Sequence, residues 1–338
     1  VIGDIAVFDN VVHLHDMSDA NLLATAPGAQ RSRELALGLG EALRPLHGDP
    51  EPYDVAIGAE RMGRQVFDHS PTDLAMAQVV PIFDWFENWW APVELNASFR
   101  DAYPDRAFFC GGVDPGWKGL TAALEHLEWQ VRDLGAVSVK FYNGHQDGRT
   151  WRCDDEKVAY PVFEKARELG ITVLQFHKGF PFGLTPVEET RPNDLQRAAR
   201  DFPDLQFLVH HLGIPYLDET VNIAARWPNI HLVLSANLCF TPIQPRLVQT
   251  QLGRLLFEVG VDKLMWGSEA GLAGPPAPYL RAFMDLEIPE DLRLGYGYPQ
   301  ITHEDKRKIL GENFARLMGV TLPTQPLPPV VHPSERAA

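Results

Sequence analysis

The chain has 338 residues, 45% of them hydrophobic and 22% charged, and a net charge of -15. Length and composition suit a globular protein with one large domain or two ordinary ones. The acidic balance argues against a nucleic-acid surface, which needs clustered Lys and Arg. No apolar run approaches the roughly 20 residues that span a bilayer.

No basic stretch leading into an apolar core marks a signal peptide. Cys110, Cys153 and Cys239 are odd in number and widely spaced. They read as reduced, packed thiols of a cytoplasmic protein.

An apolar strand is expected over residues 5–12, and it runs into His13-Leu14-His15. Side chains two apart on a strand share a face, so His13 and His15 are expected to enter one pocket. Two imidazoles there suit a divalent cation; a hydrogen-bonded pair is the plain alternative. Residues 16–70 form a long insertion with helical patterning near 33–43 and 59–66. Further strands are expected over 75–82, 107–113 and 136–141. Trp85, Phe86, Trp89 and Trp90 follow the second strand and are candidates to wall a pocket or to pack loops.

The fourth strand ends in Val139-Lys140-Phe141. A lysine inside a barrel is costly to bury charged. Lys140 can pair with substrate or Glu269, become an anionic carbamate that bridges two metals, or face outward. Arg149, Arg152 and Arg191 lie in the loops after strands four and five. One of them is a candidate to hold a substrate carboxylate; exposed arginines are also commonly just solvated.

Strand five, over 171–176, ends at His177, with Phe180 and Phe182 close behind. Strand six, over 205–209, ends at His210-His211. Strands seven and eight, over 230–235 and 263–266, follow, and the last leads to Glu269. These strands are short and apolar on both faces, the pattern of buried parallel strands.

Helices are expected between them, over 120–134, 155–169, 193–201, 217–225 and 247–259. A last helix over 303–318 opens at Thr302, with Asp305 completing a capping box. The alternation predicts a (β/α)8 TIM barrel, with an open doubly wound sheet as the alternative. Residues 1–322 form one domain in this reading. The 16–70 insertion and residues 270–300 follow strand ends and would cover the barrel mouth. The Pro-rich tail 323–338 reads as an extended arm, disordered or wrapped on a partner.

Four strand ends carrying His, His, His and an acid make a metal site the expected chemistry. The motifs Asp9-Asn10-Val11-Val12-His13-Leu14-His15, Gln175-Phe176-His177-Lys178-Gly179, His211-Leu212-Gly213 and Gly267-Ser268-Glu269 fall in order along the chain. So do Trp227-Pro228-Asn229-Ile230 and the closing segment 308–317. Together they resemble the amidohydrolase superfamily, in the branch called amidohydrolase family 2.

The resemblance implies His13, His15 and His177 as metal ligands. His211 would ligate a second metal or act by hydrogen bonding, and Glu269 would be ligand and general base. Lys140 matches the position that is carboxylated in two-metal relatives. His210 is expected to point away from the pocket. One or two ions of zinc, manganese or iron are implied. The family's usual residue at position 269 is Asp, and the extra methylene of Glu269 moves the carboxylate by about 1.5 Å.

Three reactions fit such a site. These are hydrolysis by activated water, non-oxidative decarboxylation of a small carboxylic acid, and oxygenation at a dinuclear iron or manganese centre. A different reading makes the chain a non-catalytic metal-bearing subunit of a hetero-oligomer. The expected partners are a small-molecule substrate and further subunits, identical or not.

Overall fold

The computed structural model describes residues 1–47 and 53–336. Eight strands form one sheet in sequence order, every neighbouring pair parallel. They are β1 (Phe8–Val12), β2 (Leu74–Gln78), β3 (Ala107–Gly112), β4 (Ser138–Phe141), β5 (Val173–Phe176), β6 (Gln206–His210), β7 (Ile230–Val233) and β8 (Leu264–Met265). The seam between β8 and β1 is joined by Asn10 N–H donating to the Trp266 carbonyl at 3.3 Å and by a parallel bridge from Val12 to Ala270. This is the expected (β/α)8 barrel.

Alternation along each strand builds two cores. On β5, Leu174 and Phe176 face the helical ring and pack with Phe163, Phe202 and Phe207. Val173 instead points inward, to Phe8, Met76, Cys110, Leu208 and Met265, which fill the barrel floor. The helix Ala159–Glu168 starts four residues later than expected. The Asp155 carboxylate takes the N–H groups of Lys157 and Val158 at 2.8 and 3.2 Å, which makes a turn ahead of the helix. The closing helix opens at Thr302 with both halves of its capping box formed, then passes through a π-turn at Lys308–Glu312.

The insertion after β1 carries the helix Ala29–His47 and the short helix Ala59–Gly63. The longer one reaches the loops beyond β4 and β5, where Ser32 Oγ donates to Gln146 at 2.6 Å and accepts from the Leu184 N–H at 3.0 Å.

The tail is tied to its own barrel. It runs along the face where β2 and β3 begin. There His332 is buried between the Tyr103 hydroxyl and Asp68, each 2.7 Å away. Ser334 Oγ donates to Glu60 at 2.9 Å. The polyproline-rich run keeps the segment extended, and these side chains give it a fixed berth.

His332→Ala removes the shared partner of Tyr103 and Asp68. It is expected to destabilise the fold by about 1–3 kcal/mol, measured as a lower urea midpoint. An unchanged midpoint would show that the His332 contacts contribute nothing to stability.

Candidate metal centre

At the C-terminal mouth of the barrel a cavity of about 30 Å³ has a floor of His13, Lys140, His177, His211 and Glu269. Val80, Trp90, Tyr142, Phe180, Phe182 and Leu272 wall it. His13 Nε2 is 3.4 Å from one Glu269 oxygen, and His211 Nδ1 is 3.7 Å from the other. His177 Nδ1 and His211 Nε2 face each other at 3.0 Å. The five polar side chains come from loops and strand ends around the whole barrel, and all are buried.

Backbone carbonyls set the imidazole orientations. His13 Nδ1 lies 2.9 Å from the Gln78 carbonyl, and His177 Nε2 lies 3.0 Å from the Phe180 carbonyl. A carbonyl only accepts, so each of those nitrogens carries the proton and the opposite nitrogen is bare. His211 Nδ1 sits 3.3 Å from the Ser235 carbonyl and 3.2 Å from its hydroxyl. His177 Nδ1 thus turns a bare lone pair to His211 Nε2, and a proton or a cation must lie between them. One Glu269 oxygen is buried without a hydrogen-bond partner. One ring nitrogen anchored on a protein oxygen and the other turned toward the remaining donors is the arrangement that holds histidines for a metal. The donor set therefore fits a divalent ion with imidazole and carboxylate ligands.

Burial keeps His177 and His211 uncharged. It pushes His177 well below its ordinary value and His211 down to about 4. Burial alone would raise Glu269, but His211, His13 and Lys140 outweigh it and hold the carboxyl low. Burial also lowers Lys140, to about 8, against the pull of Glu269.

The backbone is strained at the same place. Phe180, His211, Leu212, Ala236 and Glu269 all have φ between 45° and 62°. Such values are uncommon without glycine, and residues held in them gather at functional sites. They also explain the tandem histidines. The turn at His211 breaks strand alternation, so His210 and His211 both enter the barrel. The family resemblance implied that His210 points away from the pocket; instead it turns into the barrel. Its Nδ1 lies 2.8 Å from Lys140 Nζ.

His15 is not among the residues that line the cavity with His13. β1 ends at Val12 with a register irregularity after Asp9. Beyond it, Asn96 clamps the Leu14 peptide on both sides, at 3.1 and 2.9 Å. The two-residue rule therefore stops short of His15, whose Nε2 meets the Asp54 carbonyl at 3.2 Å while its ring stacks on Trp90. Lys140 faces inward, which removes the outward alternative.

None of the three candidate arginines lines the cavity. Arg149 pairs with Asp147, Arg152 with Asp154 and Arg191 with Glu219. Of the aromatic candidates Trp90, Phe180 and Phe182 form walls. Trp85 packs on Phe86 and Phe182, and Trp89 packs on Trp117 and His126. Tyr142, stacked on His177 with ring centroids 4.0 Å apart, had no sequence signal beyond its place two residues after Lys140.

A second buried cluster ties the rim together. His145, after β4, has Nε2 2.8 Å from Asp114 and Nδ1 3.4 Å from Asp84, residues that follow β3 and β2. Burial opposes charge on this imidazole, but Asp114 and Asp84 prevail and raise it to about 9.

The model of the amidohydrolase family matches residues 13–320, and the chain belongs to that family. No curated protein sequence matches it. Among solved structures, an uncharacterized TIM-barrel protein from Bordetella bronchiseptica is 18% identical, with TM-score 0.58 over 93% of this chain and 99% of its own. An amidohydrolase from Burkholderia multivorans with bound zinc is 16% identical, with TM-score 0.55 over 94% of this chain and all of its own, 100%. A 2,6-dihydroxybenzoate decarboxylase from Rhizobium is 17% identical, with TM-score 0.54 over 93% and 99%. At these identities the likeness is one of fold.

The His145 pair sets a pH dependence. Its folded value is raised above the ordinary 6.5. The stability it contributes is therefore complete below that value and is lost as pH rises through about 9. Urea unfolding between pH 6 and pH 9.5 should show a decline that His145→Asn abolishes. The same slope in both proteins would assign it to other groups.

Proposed function

We infer that the chain is a metal-dependent enzyme that hydrolyses or decarboxylates a small carboxylic or amide substrate. The observation that carries this is the buried donor set of His13, His177, His211 and Glu269, each imidazole held at one nitrogen by a protein oxygen and turning the other toward a fellow member of the set. Lys140 completes the set, as an amine or as a carbamate. His15 shares the signature, with Nε2 on a carbonyl and Nδ1 unpartnered, and is kept as a candidate ligand.

When bound, a divalent ion supplies Lewis acidity that polarises a carbonyl or carboxylate. The remaining work falls to the protein. Glu269, ionised and with a free oxygen, takes the proton of an attacking water in hydrolysis; in decarboxylation it first takes the proton of the substrate's carboxylic acid and then hands it to the carbon that loses carbon dioxide. His211, fixed by Ser235, hydrogen-bonds the reacting oxygen. Trp90, Phe180, Phe182 and Leu272 exclude bulk water and strengthen every charge interaction inside.

The same walls restrict the substrate. Lys140 is the only Lys or Arg side chain among the residues lining the cavity. This favours a substrate whose polar group lies on the floor and whose body is apolar. The decarboxylase among the solved structures acts on a molecule of that kind, which supports the carboxylic-acid branch of the reading.

Elemental analysis of protein made with zinc, manganese and iron all present tests the centre. One or two ions per chain are expected, and their removal by a chelator should abolish turnover and lower the melting temperature. Turnover is sought as carbon dioxide release from small aromatic acids and as hydrolysis of small amides and lactones. Glu269→Asp withdraws the carboxylate by about 1.5 Å and should weaken metal binding by tenfold or more, on the order of an altered ligand shell. Dioxygen consumption by an iron-containing protein would replace this reading with oxygenation. Full metal occupancy without any turnover would favour a non-catalytic subunit.

A further inference from the structure

Beneath the cavity floor a line of amide side chains crosses the barrel interior. Gln78 Nε2 donates to the Asn10 carbonyl at 2.5 Å and to Gln175 Oε1 at 2.9 Å. Gln175 Oε1 also lies 2.8 Å from His210 Nε2. His210 Nδ1 in turn lies 2.8 Å from Lys140 Nζ. All these residues are buried.

Hydrogen-bond bookkeeping gives the line one direction. The Asn10 carbonyl can only accept, so the Gln78 atom facing it is the NH2. That NH2 then requires the Gln175 atom facing it to be the oxygen. The other end of Gln175 agrees. Its NH2 lies 3.2 Å from Ser138 Oγ, whose own hydrogen goes to the Val173 carbonyl at 2.8 Å. Gln175 Oε1 being an acceptor, His210 must carry its proton on Nε2. Nδ1 is left bare and accepts from Lys140.

The geometry points to His210 as a positioning residue, not a ligand: the Gln78–Gln175 pair locks its tautomer so that Nδ1 clamps the Lys140 amine in the metal centre. A nitrogen of His210 lies within 4.8 Å of donors on His211 and Glu269, a spacing that would admit a shared ion. Both of its nitrogens are already committed, however, one to Gln175 and one to Lys140. The clamp uses one N–H of Lys140 and leaves the rest of the amine facing Glu269 and the cavity. A free lysine of four methylenes has many rotamers, so a fixed acceptor removes most of its freedom at the point where it meets the ion.

This inference rests on the reading of the site as a metal centre, and its test separates the two. Full-length protein labelled with 15N-histidine and loaded with zinc is compared with Gln175→Met, His210→Leu and His210→Asn. Long-range proton–nitrogen correlation should show His210 in the wild type with Nε2 protonated and Nδ1 bare. Gln175→Met should mix the two tautomers. Zinc binding should weaken by about tenfold in His210→Leu and recover in His210→Asn, whose Oδ1 occupies the position of Nδ1.

Protonation on Nδ1 in the wild type would overturn the clamp, as would unaltered zinc affinity in a folded His210→Leu. Failure of the wild type to bind zinc would sink the metal reading. The tautomer and its response to Gln175→Met, which need no ion, would still decide the clamp. Should His210→Leu not fold, the Gln175→Met comparison decides it by both tautomer and zinc affinity.

Discussion

The seam between β8 and β1 is the constraint on which the site depends. β8 has only two ladder residues, too few to close a barrel by themselves. Closure continues in the loop beyond it. The Glu269 N–H donates to the Val11 carbonyl at 3.0 Å, and the His13 N–H donates to the Ala270 carbonyl at 2.9 Å. Asp9 reinforces the join by accepting from the Ser268 N–H at 2.8 Å. These bonds place His13 and Glu269 on facing segments of backbone. The same seam holds Glu269 at φ 62°, which turns its carboxylate across the mouth. Loss of register here would separate the acid from every imidazole it faces.

The other polar groups are held by comparable means. His13 and His211 lean on oxygens from neighbouring strand ends, at Gln78 and Ser235, and His177 leans on the Phe180 carbonyl of its own loop. Rim loops are joined by the buried His145 pair and by Lys178, whose ammonium meets Asp194 at 2.8 Å. Buried charges of this kind are tolerated because each has a close partner. The cost of strained backbone at His211 and Glu269, about 1–3 kcal/mol per residue, is carried by this rigid surround.

Periodicity and strand-end position made the barrel and most of the site legible. Apolar runs separated by amphipathic helices mark eight strands, and a polar residue just past a strand end points into the mouth. His13, His177, His211 and Glu269 follow that rule, while Lys140 enters from within β4 itself. His15 and His210 do not, for opposite reasons. At His15 the strand has already ended, so alternation carries the side chain nowhere in particular. At His210 a left-handed turn in the next residue brings two neighbours to the same side. The three arginines illustrate another limit. Their loops were correctly placed near the mouth, but local acids such as Asp147 and Asp154 capture them first.

The sequence by itself determined the order of the strands and the types of donor atom available, because these follow from residue chemistry and two simple periods, and its ordered motifs carried the resemblance to the family. Only the tertiary structure decided which nitrogen of each histidine turns to the cavity, since that depends on the bend of a loop at His177 and on oxygens from other strand ends at His13 and His211. It likewise decided that the proline-rich tail berths on its own barrel, through a histidine 229 residues away from the tyrosine it meets. Such pairings are set by packing in three dimensions, and no local pattern encodes them.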